Sequence, residues 1–120
     1  MILVDTSVWV DHLRSGEDRL AVALTEGEVL IHPLVLGELA CGNIRNRRET
    51  LDLLAQLPPA REATHDEVMA MIERRELMGR GIGYADAHLL ASAALTPATR
   101  LWTRDNRLAR VATTMDLGIS

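Results

Sequence analysis

The sequence predicts an α/β fold: three layers, with a mostly parallel sheet of four to five strands between helices. Three observations carry this expectation. Short apolar runs alternate with longer amphipathic segments, the pattern of strands joined by helical crossovers. Two of the apolar runs end at aspartates, Asp5 and Asp105, and the strand-end edge of an open α/β sheet is where ligands bind. The 120 residues are 48% hydrophobic, enough for one domain over residues 1–120 with a single core.

The elements follow in chain order. Met1-Ile2-Leu3-Val4 reads as a buried strand ending at Asp5. Thr6 or Ser7 can cap a helix reaching about Leu13, closed by Gly16. A second helix starts near Glu17, with Leu20, Ala23 and Leu24 at helical spacing, and Gly27 ends it. Val29-Leu30-Ile31 is a second buried strand. Pro33 then opens a helix, where its missing N–H costs nothing. This helix carries Glu38 and ends near Gly42. A further helix spans about Asn46 to Leu57, with Leu51, Leu54 and Ala55 on one face. Pro58-Pro59 breaks the chain, and a short extended piece near Arg61 to Ala63 is a candidate third strand.

Thr64-His65-Asp66-Glu67 has the capping-box pattern, so a helix starts there and runs to about Met78. Gly79, Gly81 and Gly83 form a loop. Tyr84 to Leu95 reads as a helix with Asp86 in its first turn. Leu101-Trp102-Thr103 is a strand ending just before Asp105, which opens a last helix to about Thr114. Leu117 to Ile119 offers a short final strand.

Composition removes several function classes. The chain holds no Lys, so a Walker-type phosphate loop and a Schiff base are both out. Gly79 to Gly83 follows a helix rather than a strand, so a dinucleotide cradle fails its context. No apolar run approaches the roughly 20 residues of a membrane span, and no basic, apolar leader opens the chain. The single cysteine, Cys41, excludes an internal disulfide and a cysteine-rich zinc site. These features fit the cytoplasm. The net charge of −4 argues against a general nucleic-acid binder, yet four clustered carboxylates account for all of it.

Those four are Asp5, Glu38, Asp86 and Asp105. Gathering carboxylates costs repulsion, and burying one unpaired costs several kcal/mol. A hard divalent cation compensates, since Mg²⁺ and Mn²⁺ prefer carboxylate oxygens and water. Such an ion polarises a phosphoryl oxygen and acidifies bound water, which makes phosphodiester hydrolysis the natural reaction.

Met1 to Trp9, with Asp5-Thr6-Ser7 at its centre, resembles the opening motif of PIN-domain nucleases. Glu38 in Leu36-Gly37-Glu38-Leu39 resembles their second acid, Asp86 in Tyr84-Ala85-Asp86-Ala87-His88 their third, and Asp105 in Leu101-Trp102-Thr103-Arg104-Asp105 their fourth. The chain length and the Asp-Thr-Ser start resemble VapC-type toxins of bacterial toxin–antitoxin pairs. The resemblance implies a three-layer α/β/α PIN-like fold and a Mg²⁺- or Mn²⁺-dependent endoribonuclease. It implies an RNA substrate, a small cognate antitoxin of VapB type that silences the site, and a homodimer. It also implies that Asp5, Glu38, Asp86 and Asp105 bind the metal, with Ser7 or Thr6 and Thr103 as supporting hydroxyls.

Each residue also has a plainer role. Asp5 and Asp105 can cap helices, Asp86 can serve a helix dipole, and Glu38 can be a solvated helix residue. Asp11, Asp66 and Asp116 read as surface or capping residues. His88 falls half a turn from Asp86 and reads as structural. Cys41 reads as a small buried thiol. Met69, Met71 and Met78 read as core or dimer contacts. Arg45, Arg47 and Arg48, and likewise Arg74, Arg75 and Arg80, read as mostly solvated, with a few free to hold RNA phosphates. A non-catalytic PIN-like module that binds RNA or protein is the alternative to the nuclease. A phosphatase or receiver domain is disfavoured, because Ser7 stands where a second aspartate is expected and no Lys is present.

Overall fold

The structure is a computed structural model that describes residues 1–119. Among the described residues, three parallel strands form the sheet: β1 (Ile2–Val4), β2 (Val29–Leu30) and β3 (Arg100–Trp102), in the order β2-β1-β3. The register pairs Ile2 with Val29 and Leu3 with Leu30 on one side, and Leu3 with Leu101 and Val4 with Trp102 on the other. β1 is therefore central, and its Leu3 and Val4 are fully buried.

The expected third and last strands reduce to single bridges. Ile31 bridges Pro59, and Leu101 bridges Gly118, both in parallel. The piece proposed at Arg61 to Ala63 is not a strand. The contact lies earlier, where the Ala60 N–H donates to the Ile31 carbonyl, while the Arg61 N–H turns to the Thr96 hydroxyl. Pro58 and Pro59 have no N–H to offer, so a longer ladder cannot form there. The three-layer α/β architecture holds, with its outermost strands cut to one rung each.

Seven helices surround this sheet among the described residues. They are α1 (Thr6–Ser15), α2 (Asp18–Thr25), α3 (Pro33–Ala40), α4 (Arg47–Ala55), α5 (His65–Arg75), α6 (Tyr84–Leu95) and α7 (Asn106–Thr114). Packing links α6 and α7 to β3, α1 to α3, α3 to α4 and α5 to α6. α6 is the most deeply inserted, with Ala87, Leu89, Leu90, Ala91, Ser92 and Ala93 all buried. With Phe absent, the core is aliphatic around Trp9, Leu20, Leu90, Leu101 and Leu108.

Caps set the helix limits. The capping box at Thr64 and Glu67 is complete. α5 stops at Arg75 rather than near Met78, because Glu76 takes a left-handed conformation at φ 52°. The Pro33 helix is capped by His32, whose ring Nδ1 accepts from the Leu34 N–H. α4 is shorter than expected at both ends. It buries Leu54 and half-buries Leu51, but leaves Ala55 exposed.

Candidate active site

The parallel register builds the first part of the site. Because Val4 lies beside Trp102, the residues that follow, Asp5 and Thr103, are also neighbours across the strands. The Asp5 N–H donates to the Trp102 carbonyl, and the Thr103 hydroxyl donates to Asp5 Oδ2 at 2.7 Å. The Ser7 hydroxyl reaches the same oxygen at 2.8 Å. Asp5 occupies the N-cap position of α1, where Thr6 or Ser7 was expected, yet its side chain makes no capping bond. Its carboxylate, 8% exposed, is instead fixed by two hydroxyls. The hydroxyls are themselves oriented. Ser7 Oγ accepts from the Arg104 N–H at 3.0 Å, and Thr103 Oγ1 accepts from the Asp105 N–H at 3.0 Å.

Asp86 enters from the start of α6. Its Oδ2 accepts from the Gly83 N–H at 2.9 Å, tying the carboxylate to the glycine loop before it. Burial pushes the Asp86 carboxyl above the usual range. The Gly83 bond opposes this, and the nearby charges of Asp5 and Asp105 add to it. Asp5, Asp86 and Asp105 thus share one field at the C-terminal edge of the sheet.

Asp105 caps α7, with Oδ1 accepting from the Arg107 and Leu108 N–H groups, and its charge acts on Asp86. Glu38 is exposed midway along α3. The Thr6 hydroxyl donates to Glu38 Oε1 at 3.2 Å. Among the described residues, no three Asp, Glu, His or Cys side chains stand close enough to hold one metal ion. Asp5, Asp86 and Asp105 lie within one another's electrostatic reach without closing into a preformed cage, and Glu38 is tied to the hydroxyl of Thr6, the residue after Asp5.

The PIN domain family aligns with residues 2–113. The chain belongs to that family. Within it, Ribonuclease VapC32 of Mycobacterium tuberculosis, from strain CDC 1551 / Oshkosh and from strain ATCC 25618 / H37Rv alike, is 55% identical over 108 residues. The aligned region covers 90% of this chain and 87% of the relative.

Around the acids, this PIN domain departs from several expectations. Cys41 is exposed rather than buried, because it sits at the C-cap of α3 as the chain leaves the core. Met71 is in the core, whereas Met69 and Met78 are exposed. Arg47 is occupied by the Ala40 carbonyl and Arg80 by the Glu76 carbonyl, so both serve helix ends. His88 packs edge-on against Tyr84, a structural contact as expected.

Two features of the PIN domain had no signal in the sequence reading. Arg104 pairs with Asp11 at 3.1 Å and with Glu17, while its guanidinium lies over the Trp102 ring. It clamps the segment between β3 and α7 to α1 and α2, and its own N–H orients Ser7. His32 is buried beside β2, and its Nε2 has no hydrogen-bond partner. The Glu17 carboxyl is held below its usual range by Arg104, a local signature of the clamp.

Proposed function

We propose that this PIN domain is a Mg²⁺- or Mn²⁺-dependent endoribonuclease toxin of VapC type that hydrolyses RNA phosphodiester bonds. The observation that carries the reading is Asp5. A carboxylate at a helix N-cap that forgoes capping and is held by two oriented hydroxyls at a strand end supports a ligand-binding role. The 55% identity to a ribonuclease over most of both chains supports the same chemistry.

The donor set suits a hard cation. Asp5, Glu38, Asp86 and Asp105 offer only carboxylate oxygens, and the Asp86 carboxyl, raised first by burial and further by the charges of Asp5 and Asp105, is one whose ionised form a cation would favour. Mg²⁺ commonly binds through one or two carboxylates and completes its shell with water and substrate phosphate. An edge without a three-ligand cage fits that habit. When bound, the ion supplies positive charge to a phosphoryl oxygen and makes its water more acidic. Ser7 and Thr103 hold Asp5 Oδ2, Thr6 orients Glu38, and the Gly83 N–H fixes one oxygen of Asp86.

The partners follow the same reading: an RNA substrate, a small VapB-type antitoxin, a second copy of the chain, and residence in the cytoplasm. No helix among the described residues is long and apolar enough to cross a membrane. An open groove of about 540 Å³, lined by Val10, Leu13, Leu39 and Ile44 with Arg14 and Arg45, adjoins Glu38 and suits an antitoxin segment. The open spacing of the acids favours one second reading, a PIN module that binds RNA without cutting it.

Cleavage separates the two. Purified protein is incubated with bulk RNA in Mg²⁺, in Mn²⁺ and in EDTA, beside Asp5→Asn. Metal-dependent fragments lost in the variant are expected. RNA retention without fragments in either metal would establish the binding module.

A further inference from the structure

Aromatic side chains are scarce here, two Trp and one Tyr with no Phe. Trp9 and Trp102 are buried at 1% and 6% exposure, so neither ring is available to a ligand. Tyr84 is 47% exposed and opens α6, the helix that carries Asp86. Its ring is braced on two sides. His88, one turn on, meets it edge-on with centroids 4.7 Å apart, and His65 of α5 lies 5.6 Å away with its Nδ1 hydrogen-bonded to the Tyr84 hydroxyl. Such bracing removes rotamer freedom in advance, which favours a binding platform.

Its place in the fold connects it to the acids. Tyr84 and His88 share one flank of α6, and Asp86 occupies the other. The acids follow β1 and β3. Tyr84 and Asp86 stand two residues apart in the first turn of α6, so the exposed ring and that acid leave the same turn of the helix.

We propose that the braced Tyr84 ring is a base-stacking subsite that holds one unpaired nucleobase of the RNA near the bond to be cut. The inference rests on the ribonuclease reading and adds to it a residue that selects single-stranded geometry. Aromatic stacking tolerates every base, so the subsite favours unpaired RNA over a particular letter. Neither Arg47 nor Arg80, each engaged with a carbonyl, supplies this contact.

The test uses a short oligoribonucleotide spanning a cut site mapped in bulk RNA. KM and kcat are measured for the wild-type protein, Tyr84→Phe and Tyr84→Leu. The measurements are repeated on substrates with an abasic nucleotide at each flanking position. Tyr84→Leu is expected to raise KM roughly tenfold, with kcat changed less than threefold, while Tyr84→Phe stays near wild type. One abasic position should reproduce the loss and make Tyr84→Leu silent. Leu equal to wild type on every substrate overturns the subsite. So does a Leu defect that persists undiminished on every abasic substrate, or one that appears as a change of oligomeric mass with KM unmoved. Wild-type protein that cuts no RNA in Mg²⁺ or Mn²⁺ defeats the ribonuclease reading itself, and the subsite with it.

Discussion

The Thr103 hydroxyl donates to Asp5 Oδ2 at 2.7 Å, joining residues 98 apart in the chain across two parallel strands. The bond exists because Val4 and Trp102 are in register and the next residues on each strand fall side by side. It ties the orientation of one acid to the alignment of the sheet itself.

Replacing Thr103 therefore tests orientation separately from charge. Thr103→Val keeps the shape and removes the donor. It should lower cleavage roughly tenfold, of the order expected from losing one hydrogen bond to a charged group. Thr103→Ser should restore most of the rate. Equal rates for all three, measured on one RNA under the same metal concentration, would remove the hydroxyl from the site.

Asp86 gives a pH-dependent signature. Its folded-state carboxyl titrates above the ordinary value, so the charged form costs stability at neutral pH. Protons bind the folded state first as pH falls, so this cost fades through the raised value and is gone below the unfolded value of about 4. In EDTA, Asp86→Asn should melt higher than wild type at pH 7, and the gap should close towards pH 4. Added Mn²⁺ should raise the melting temperature of the wild type more than that of the variant. A constant gap across the range would mean that the charge of Asp86 is not its source.

His32 should make the fold acid-sensitive at milder pH. Burial holds its imidazole below the usual range, while Glu62 raises it and His88 lowers it further. The unfolded chain takes up a proton near pH 6.5 and the folded one only lower, so stability is lost as pH falls below about 6.5. The neutral ring is also the cap of α3, through Nδ1. His32→Asn keeps a side chain that caps well. It should melt lower at pH 8, because volume is lost, but show a flatter decline between pH 7 and 5. Parallel curves for the two proteins would rule His32 out.

Gly81 faces two penalties at once. Its φ is +80°, and a Cβ there would stand 2.5 Å from Cδ of Arg107. Gly81→Ala should destabilise by about 1–2 kcal/mol in denaturant melts. Arg107→Ala in the same chain should recover only the steric part, since the backbone strain remains. Full recovery would show that the backbone contributes nothing.

The strand ends, the Thr64 box and α6 were legible because each rests on local chemistry: apolar runs, a capping pair, a glycine loop. Parallel pairing of the strands also follows from alternation, whereas the order β2-β1-β3 does not. The outer edges were not legible, because Pro58 and Pro59 decide how many rungs form and the rest depends on where Arg61 turns. Cys41 was misread, since burial at a helix end depends on the path of the chain beyond it. Of the site, the four acids and the hydroxyls of Thr6, Ser7 and Thr103 came from the PIN resemblance and the strand ends. The Arg104 clamp on Asp11 and Glu17, and the contact of His65 with Tyr84, join positions whose separation carries no periodic signal. Only tertiary packing reveals them.

The central place of β1 has a consequence for synthesis. β1 leaves the ribosome ahead of both strands that flank it, and β3 follows nearly a hundred residues later. At about 5–20 residues per second, the wait lasts on the order of 5–20 s. Until β3 docks, Asp5 lacks Thr103 and the edge lacks Asp105. A nascent chain thus carries Asp5 through the synthesis of nearly a hundred residues without the hydroxyl that orients it, and a fragment ending before β3 lacks both Thr103 and Asp105.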